Sequence, residues 1–149
     1  MSVSFDTNIL VYASADEPDL KSIRARELIA RGMRLGSGVL LLQTLAEFSN
    51  VAIRKAGIPV DNVRTIIDAW RSVLPVKAGA EDDLALALRA VKTHRLAFWD
   101  AMLWAAARRI GVQHLLTEDF QDGFQLDVVR FTNPFKSAND ELIDTILPP

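Results

Sequence analysis

The stretch SVSFDTNILVYA, residues 2–13, sets the interpretation of the whole chain. Its apolar run Val3–Phe5 is typical of a short buried strand, and Thr7–Ala13 continues at once as a helix. Asp6 lies at the junction. Because ligands of open α/β sheets bind at the carboxyl ends of the strands, this junction is a candidate site position. An Asp before a helix is also a preferred N-cap, so a purely structural role stays open for Asp6.

Short apolar runs and longer segments of helical period alternate along the rest of the sequence. Further strands are predicted at residues 39–42, 114–117 and 128–131, with a short extended piece at 73–76. Helices are predicted at residues 18–32, 44–57, 61–72, 80–94 and 98–110. This βαβα order predicts an α/β fold, in which a central parallel sheet of four to five short strands is flanked by helices.

The length and composition limit the classes of protein that the chain fits. Its 149 residues, half of them hydrophobic, are enough for one domain with a full core, which we assign to residues 1–135. The polar, acidic segment 136–149 is interpreted as a C-terminal tail. A net charge of −2 gives no global attraction for polyanions, so such a partner must be held by local cations.

Cysteine usage and the distribution of charge bear on the cellular location. The chain has no Cys, which excludes disulfides and thiolate sites and is compatible with the cytoplasm. Asp6 interrupts the first apolar run, so no signal pattern is recognised, and no uncharged stretch has the length of a membrane span. We expect a cytoplasmic protein with no membrane partner.

Four acids lie where predicted strands end or apolar helices begin: Asp6, Glu47, Asp100 and Asp119. Each has a structural alternative. Glu47, three residues after Thr44, fits a capping box. Asp100 lies among apolar residues, where a burial partner or a helix cap would explain it. Asp119 belongs to an acidic turn with Glu118 and Asp122, both of which are near enough to join a site.

The four acids carry more information together than singly. The predicted topology brings Asp6 and Asp119 to one edge of the sheet, beside the helices that carry Glu47 and Asp100. Carboxylates that converge without a basic partner repel one another, and a hard divalent cation relieves that repulsion. Oxygen ligands favour Mg²⁺ or Mn²⁺, and such a cation commonly serves phosphodiester hydrolysis.

The motifs FDTNIL (5–10), LAEFSNV (45–51), FWDAMLWAAA (98–107) and TEDF (117–120) resemble, in this order, a PIN-domain ribonuclease. The resemblance is closest to VapC-type toxins of bacterial toxin–antitoxin pairs and covers nearly the whole chain. The stretch LLTEDFQDGFQLDVVRFTNPF, residues 115–135, is its most distinctive part. It implies a PIN-like three-layer fold and maps the four family acids onto those named above, with Asn8 and Thr117 in supporting positions.

The resemblance also implies a mechanism and partners. Water attacks an RNA phosphodiester with Mg²⁺, for which Mn²⁺ can substitute, and Asp6 and Asp100 are the first choice as direct ligands. Glu47 and Asp119 hold a second cation or water, or help to deprotonate the attacking water. Expected partners are RNA, a cognate antitoxin and a second copy in a homodimer. Candidate RNA-binding cations are Arg24, Arg26, Arg54, Lys55 and Arg108.

Three other classes of protein share part of this pattern. A haloacid-dehalogenase-like phosphatase needs a second acid two residues after its strand-end Asp, where this chain has Asn8. A phosphorelay receiver needs a phosphorylatable Asp at the end of a middle strand, where this chain has Gln43. A catalytically inactive PIN-like module that only binds RNA or protein is the third alternative, and the four acids argue against it.

Overall fold

Helices and strands alternate through most of the chain in the computed structural model, which describes all residues, 1–149. The strands are β1 (Val3–Phe5), β2 (Leu40–Leu41), β3 (Val76–Lys77), β4 (His114–Leu116), β5 (Gln125–Leu126) and β6 (Val129–Thr132). The helices are α1 (Thr7–Ala13), α2 (Leu20–Leu35), α3 (Leu42–Arg54), α4 (Val60–Arg71), α5 (Asp82–His94), α6 (Phe98–Ile110) and α7 (Asp140–Ile146). The predicted α/β class is confirmed.

The sheet is parallel except at one edge. Strands β1, β4 and β6 pair in parallel in that order, and the short β5, which the sequence analysis missed, adds antiparallel to β6. A parallel β2–β3 pair joins the other side of β1 through a bridge between Val3 and Gly38. All five parallel strands therefore end toward the same edge, where the candidate site lies.

Two apolar clusters cover the two faces of the sheet. Side chains alternate between faces along a strand, and accordingly Leu116 belongs to one cluster and its neighbour Leu115 to the other. The first cluster includes residues of α1–α4 and α7, and the second residues of α5 and α6. The result is the predicted three-layer arrangement. No helix combines the length and the apolar character that crossing a membrane requires.

Two helices begin at other residues than predicted. Helix α2 was expected to open at Pro18, but Asp19 caps it by accepting a hydrogen bond from the Ser22 N–H at 2.9 Å. Helix α3 begins at Leu42, without a side-chain cap, and the Thr44 hydroxyl is buried with no partner. The capping-box interpretation of Thr44 and Glu47 is therefore wrong, and Glu47 is free for another role.

In place of the predicted polar tail, the chain after residue 135 forms a 3₁₀ turn and helix α7. Ile143 and Leu147 are fully buried in the first cluster. The buried Arg31 of α2 donates to Asp144 Oδ1 at 2.7 Å and to the Leu147 carbonyl at 2.9 Å. The acidic composition suggested a tail because the few apolar residues that dock the segment lie on one face of a short helix.

We expect Ile143→Ala to lower the free energy of unfolding by about 2–5 kcal/mol, because it leaves a cavity in a packed core. The matched control is Thr145→Ala on the exposed face of the same helix, which should stay within about 0.5 kcal/mol of wild type. Urea denaturation measures both. Equal stability of Ile143→Ala and wild type would show that the segment is not docked in solution.

Candidate active site

All four acids line one cleft of about 360 Å³ at the carboxyl edge of the sheet. Asp6 follows β1 and Asp119 lies in the loop after β4, as the parallel pairing of these strands requires. Glu47 projects from the second turn of α3, and Asp100 from the first turn of α6. The predicted convergence is therefore observed.

Asp6 is the buried member of the set, with only 6% of its surface exposed. Its Oδ1 accepts a hydrogen bond from the Thr7 N–H at 2.7 Å, and its Oδ2 accepts one from the Thr117 hydroxyl, also at 2.7 Å. Burial, with smaller contributions from Asp119 and Glu47, raises the pKa of Asp6 to about 6 despite these bonds. The helix-cap role and the site role therefore coexist in one carboxylate.

Thr117 and Asn8 join Asp6 and Asp119 into a network. The Thr117 hydroxyl that donates to Asp6 also accepts from the Asp119 N–H at 3.2 Å. The Asn8 side-chain amide donates to Asp119 Oδ2 at 2.9 Å. Its Oδ1 is buried without a partner. Asn8 thus holds the exposed Asp119 and itself lines the cleft.

Glu47 is held from two sides. The Thr7 hydroxyl donates to Glu47 Oε2 at 3.1 Å, and the Gln43 amide donates to Glu47 Oε1 at 2.8 Å. The same Gln43 amide donates to the carbonyl of Trp99 at 3.0 Å, which ties the start of α3 to the start of α6. The sequence analysis missed this role of Gln43, although its place four residues before Glu47 on one helix was the available signal.

Asp100 has no compensating contact. It is half-buried, and neither a hydrogen bond nor an ion pair offsets its charge. Burial, followed by the negative charges of Asp119 and Glu47, raises its pKa above the ordinary value of 3.8. Asp100 is therefore neither a helix cap nor a member of an ion pair.

Glu118 and Asp122, left open by the sequence, have other partners. Glu118 is hydrogen-bonded to the Tyr12 hydroxyl and accepts from Lys21 Nζ at 2.7 Å, and these contacts hold its pKa below the usual range against burial. Asp122 accepts from the Asn133 N–H at 2.8 Å and from the Asn139 side chain. Both carboxylates fix the β4–β6 region and do not line the cleft.

The predicted RNA-binding cations fall into two groups. Arg24 is paired with Asp140 at 3.1 Å, Arg26 donates to backbone carbonyls at the end of α1, and Arg108 is paired with Asp127. Arg54 and Lys55 are exposed and belong to no ion pair. Only Lys55 lines the acidic cleft, so it is the cation best placed to meet a bound polyanion.

The donor set fits a hard divalent cation. It consists of oxygen atoms only, its acids have no basic partner, and the buried Asn8 Oδ1 lacks one too. No group of three or more His, Asp or Glu side chains is arranged to hold a metal ion by itself. Mg²⁺ does not require such a cage, since one or two carboxylates and several waters commonly bind it.

Comparison with known proteins places this geometry in a family. The chain is similar in structure to VapC20 of Mycobacterium tuberculosis, a sarcin–ricin loop cleaving toxin, at 18% identity and a TM-score of 0.61 over 85% of this chain and 92% of that one. It is also similar to a toxin–antitoxin complex from Klebsiella pneumoniae, at 19% identity and a TM-score of 0.63 over 91% and 99%. No curated protein sequence matches. The PIN domain family model matches residues 3–125, and the chain therefore belongs to the PIN-domain family.

Proposed function

We propose that this protein is a metal-dependent endoribonuclease that hydrolyses RNA phosphodiester bonds. The observation that carries the proposal is the convergence of Asp6, Glu47, Asp100 and Asp119 in one cleft without a basic partner. PIN-domain nucleases generally use divalent metal ions, and we propose Mg²⁺, with Mn²⁺ as a substitute.

Asp6 and Asp100 are the proposed metal ligands, with Glu47 and Asp119 as further ligands or holders of water. A bound cation supplies Lewis-acid polarisation of the phosphate and a lowered pKa of water. The raised pKa values of Asp6 and Asp100 suit this role, since a nearby positive charge favours the ionised form of both acids.

The neighbouring side chains keep these acids in place. Thr117 orients Asp6 through its hydroxyl, and Asn8 orients Asp119. Gln43 and Thr7 each donate to a different oxygen of Glu47, so its carboxylate has little rotational freedom and remains available to accept a proton from an attacking water. Lys55, directly after α3, lines the same cleft as Glu47 and is positioned to contact a phosphate of the RNA strand.

The proposed biological role is that of a toxin in a type II toxin–antitoxin pair. PIN-domain homologues are nucleases, and the names of the two similar structures refer to a toxin that cleaves the sarcin–ricin loop and to a toxin–antitoxin complex. An RNA substrate and the absence of Cys are the reasons for proposing a cytoplasmic location.

The proposed antitoxin is a small protein that lays an apolar helix in a groove and places a basic side chain among the acids. A groove of about 360 Å³ between α2 and α4 has the apolar character for such a helix. It is lined mainly by apolar side chains, among them Ile29, Met33, Trp70 and Val73. A basic side chain would relieve the same carboxylate repulsion that a cation relieves.

Two alternatives differ in activity. A haloacid-dehalogenase-like phosphatase would use residue 8 as a general acid, but Asn8 instead donates its amide to Asp119. An inactive PIN-like module would bind RNA or protein without cutting. Release of phosphate from small esters would favour the first alternative, and RNA binding without cleavage the second.

We expect the purified protein to cut RNA with Mg²⁺ or Mn²⁺ and to be inactive in EDTA. Asp6→Asn and Asp100→Asn should each reduce the rate by more than about 100-fold, because even outer-shell partners of a metal contribute 10- to 100-fold. Gel analysis of labelled RNA measures the rates. Asp16→Asn, the same chemical change at an exposed loop position, is the control and should cut like wild type. Cutting at the wild-type rate by either folded site variant would remove the metal assignment.

We expect metal-free Asp100→Asn to melt at a higher temperature than metal-free wild type at neutral pH. An acid whose pKa is raised on folding favours the folded state at low pH, and this benefit is lost as pH rises from the unfolded to the folded pKa. For Asp6 that interval runs from 3.8 to about 6, and for Asp100 it also lies above 3.8. The gap between variant and wild type should therefore shrink as pH falls toward 4.

Calorimetry across pH, first in EDTA and then with Mg²⁺, tests this expectation. Mg²⁺ should stabilise wild type by about 2.7 kcal/mol at 100 times its Kd, and Asp100→Asn much less. Asp16→Asn should follow wild type in both buffers. A lower melting temperature for Asp100→Asn in EDTA would mean that its carboxylate stabilises the fold by itself.

We propose a homodimer, as most soluble oligomers are symmetric dimers. Light scattering at micromolar concentrations should give twice the chain mass of 16.5 kDa. A constant monomer mass across that range contradicts the proposal.

A further inference from the structure

One aromatic side chain has no role in the core. The chain has three Trp and seven Phe, and of these ten only Trp99 is exposed, with 65% of its surface accessible. The others are buried or partly covered. Trp99 directly precedes Asp100 in the first turn of α6.

The indole is a wall of a second cleft of about 390 Å³, within the range of about 300–1,000 Å³ for small-molecule sites. Its other lining residues are Gln43, Ala46, Glu47 and Asn50. Three of these five side chains are polar, and the Asn50 amide is exposed and bonded to no other side chain. The cleft thus combines an aromatic face with a free donor and acceptor group.

The two clefts meet at Glu47, which lines both. Gln43 lies four residues before Glu47, and Lys55, the residue directly after α3, lies eight residues after it. The helix therefore runs past the second cleft, the acids and Lys55 in that order. Twelve residues of helix span about 18 Å. A single strand that follows this helix passes all three features.

Two contacts support Trp99, one to its backbone and one to its ring. Gln43 donates to the Trp99 carbonyl at 3.0 Å. The Phe98 ring packs edge-on against the indole, with centroids 5.1 Å apart. A pre-positioned aromatic surface loses little conformational entropy when a ligand stacks on it.

We propose that the second cleft binds one unpaired nucleobase of the RNA strand next to the phosphate at the acids, stacked on Trp99 and hydrogen-bonded on its edge by Asn50. The inference rests on the proposed nuclease function and adds a base-binding subsite to it. Proteins recognise single-stranded RNA by stacking splayed bases on aromatic rings and by hydrogen bonds to their edges. A polar-lined cleft that continues into the acid site suits a base better than an apolar helix.

The competing occupant is a second copy of this chain. On the other side of Trp99 lies a more apolar groove, lined by Leu42, Met102 and Ala106 among others. A partner covering that groove would also cover the indole. The test must therefore separate stacking from subunit contact.

The test measures binding of a fluorescein-labelled single-stranded RNA of mixed sequence, by anisotropy in EDTA, where cleavage does not interfere. The same backbone without bases is the second ligand. Trp99→Ala should weaken binding of the RNA roughly tenfold to hundredfold, the range expected for one stacked base, and leave binding of the abasic strand unchanged. Trp99→Phe, which keeps a ring, should lose less, and Asn50→Ala should reduce the preference for RNA over the abasic strand.

Leu42→Ala, an exposed apolar neighbour without a ring, is the control and should bind both strands like wild type. With Mg²⁺, Trp99→Ala should raise KM for RNA more than it lowers kcat. The proposal is overturned if Trp99→Ala binds RNA like wild type, loses affinity for both strands equally, or changes the mass measured by light scattering. Trp99-dependent binding by a protein that cuts no RNA would refute the nuclease and support the base site.

Discussion

The buried carboxylate of Asp6 is the contact on which the site depends. Asp6 directly follows β1, and its carboxylate caps α1 through the Thr7 N–H and accepts from Thr117, which directly follows β4. Two adjacent parallel strands and one helix therefore meet at a single charged group. Burying that charge raises its pKa to about 6, so the fold tolerates an unfavourable group where its chemistry is useful. Strained or destabilised groups of this kind are a recognised mark of functional sites.

Helix α3 is the second organising element. It begins directly after β2 without a capping side chain, so its first turn is free to serve the site. Gln43 in that turn bonds both Glu47 and the backbone of Trp99, and thereby fixes α3 relative to α6. One amide thus links a carboxylate of the acid cleft to the backbone of the residue that carries the exposed indole.

Several arginine side chains stabilise the fold and do not line the acidic cleft. Arg24, Arg31 and Arg108 pair with acids from distant parts of the chain and hold α2, α7 and the β5–β6 turn in place. Asp83, almost fully buried, pairs with Arg109 and caps the segment before α5 by accepting from the Ala80 N–H. The acids of the cleft have no such partners. Outside the cleft, Asp83, Glu118 and Asp122 are the acids that are buried or half-buried, and each is paired with a cation. Among the acids withdrawn from water, only those of the cleft lack such a partner.

The sequence alone determined the α/β class, most of the helices and strands, and the four acids, because hydrophobic period and strand-end position are local properties of the chain. The sequence did not reveal the C-terminal helix α7. Ile143, Ile146 and Leu147 dock this helix in the core, and their role is visible only once the rest of that core is in place. The sequence also did not reveal β5, which at two residues is too short for any periodic pattern.

Within the site, residue types pointed to the acids, but only the tertiary structure decided which polar groups belong with them. Glu118 and Asp122 are also acids and lie within three residues of Asp119. Outside the cleft, however, Glu118 accepts a hydrogen bond from Lys21, and Asp122 accepts one from Asn139. Gln43 and Trp99 acquired roles because α3 and α6 begin side by side. Hydrogen bonds and ion pairs depend on distances of a few ångströms between groups that the sequence separates by tens of residues. Local patterns therefore fix which chemistry is present, and packing fixes where it is used.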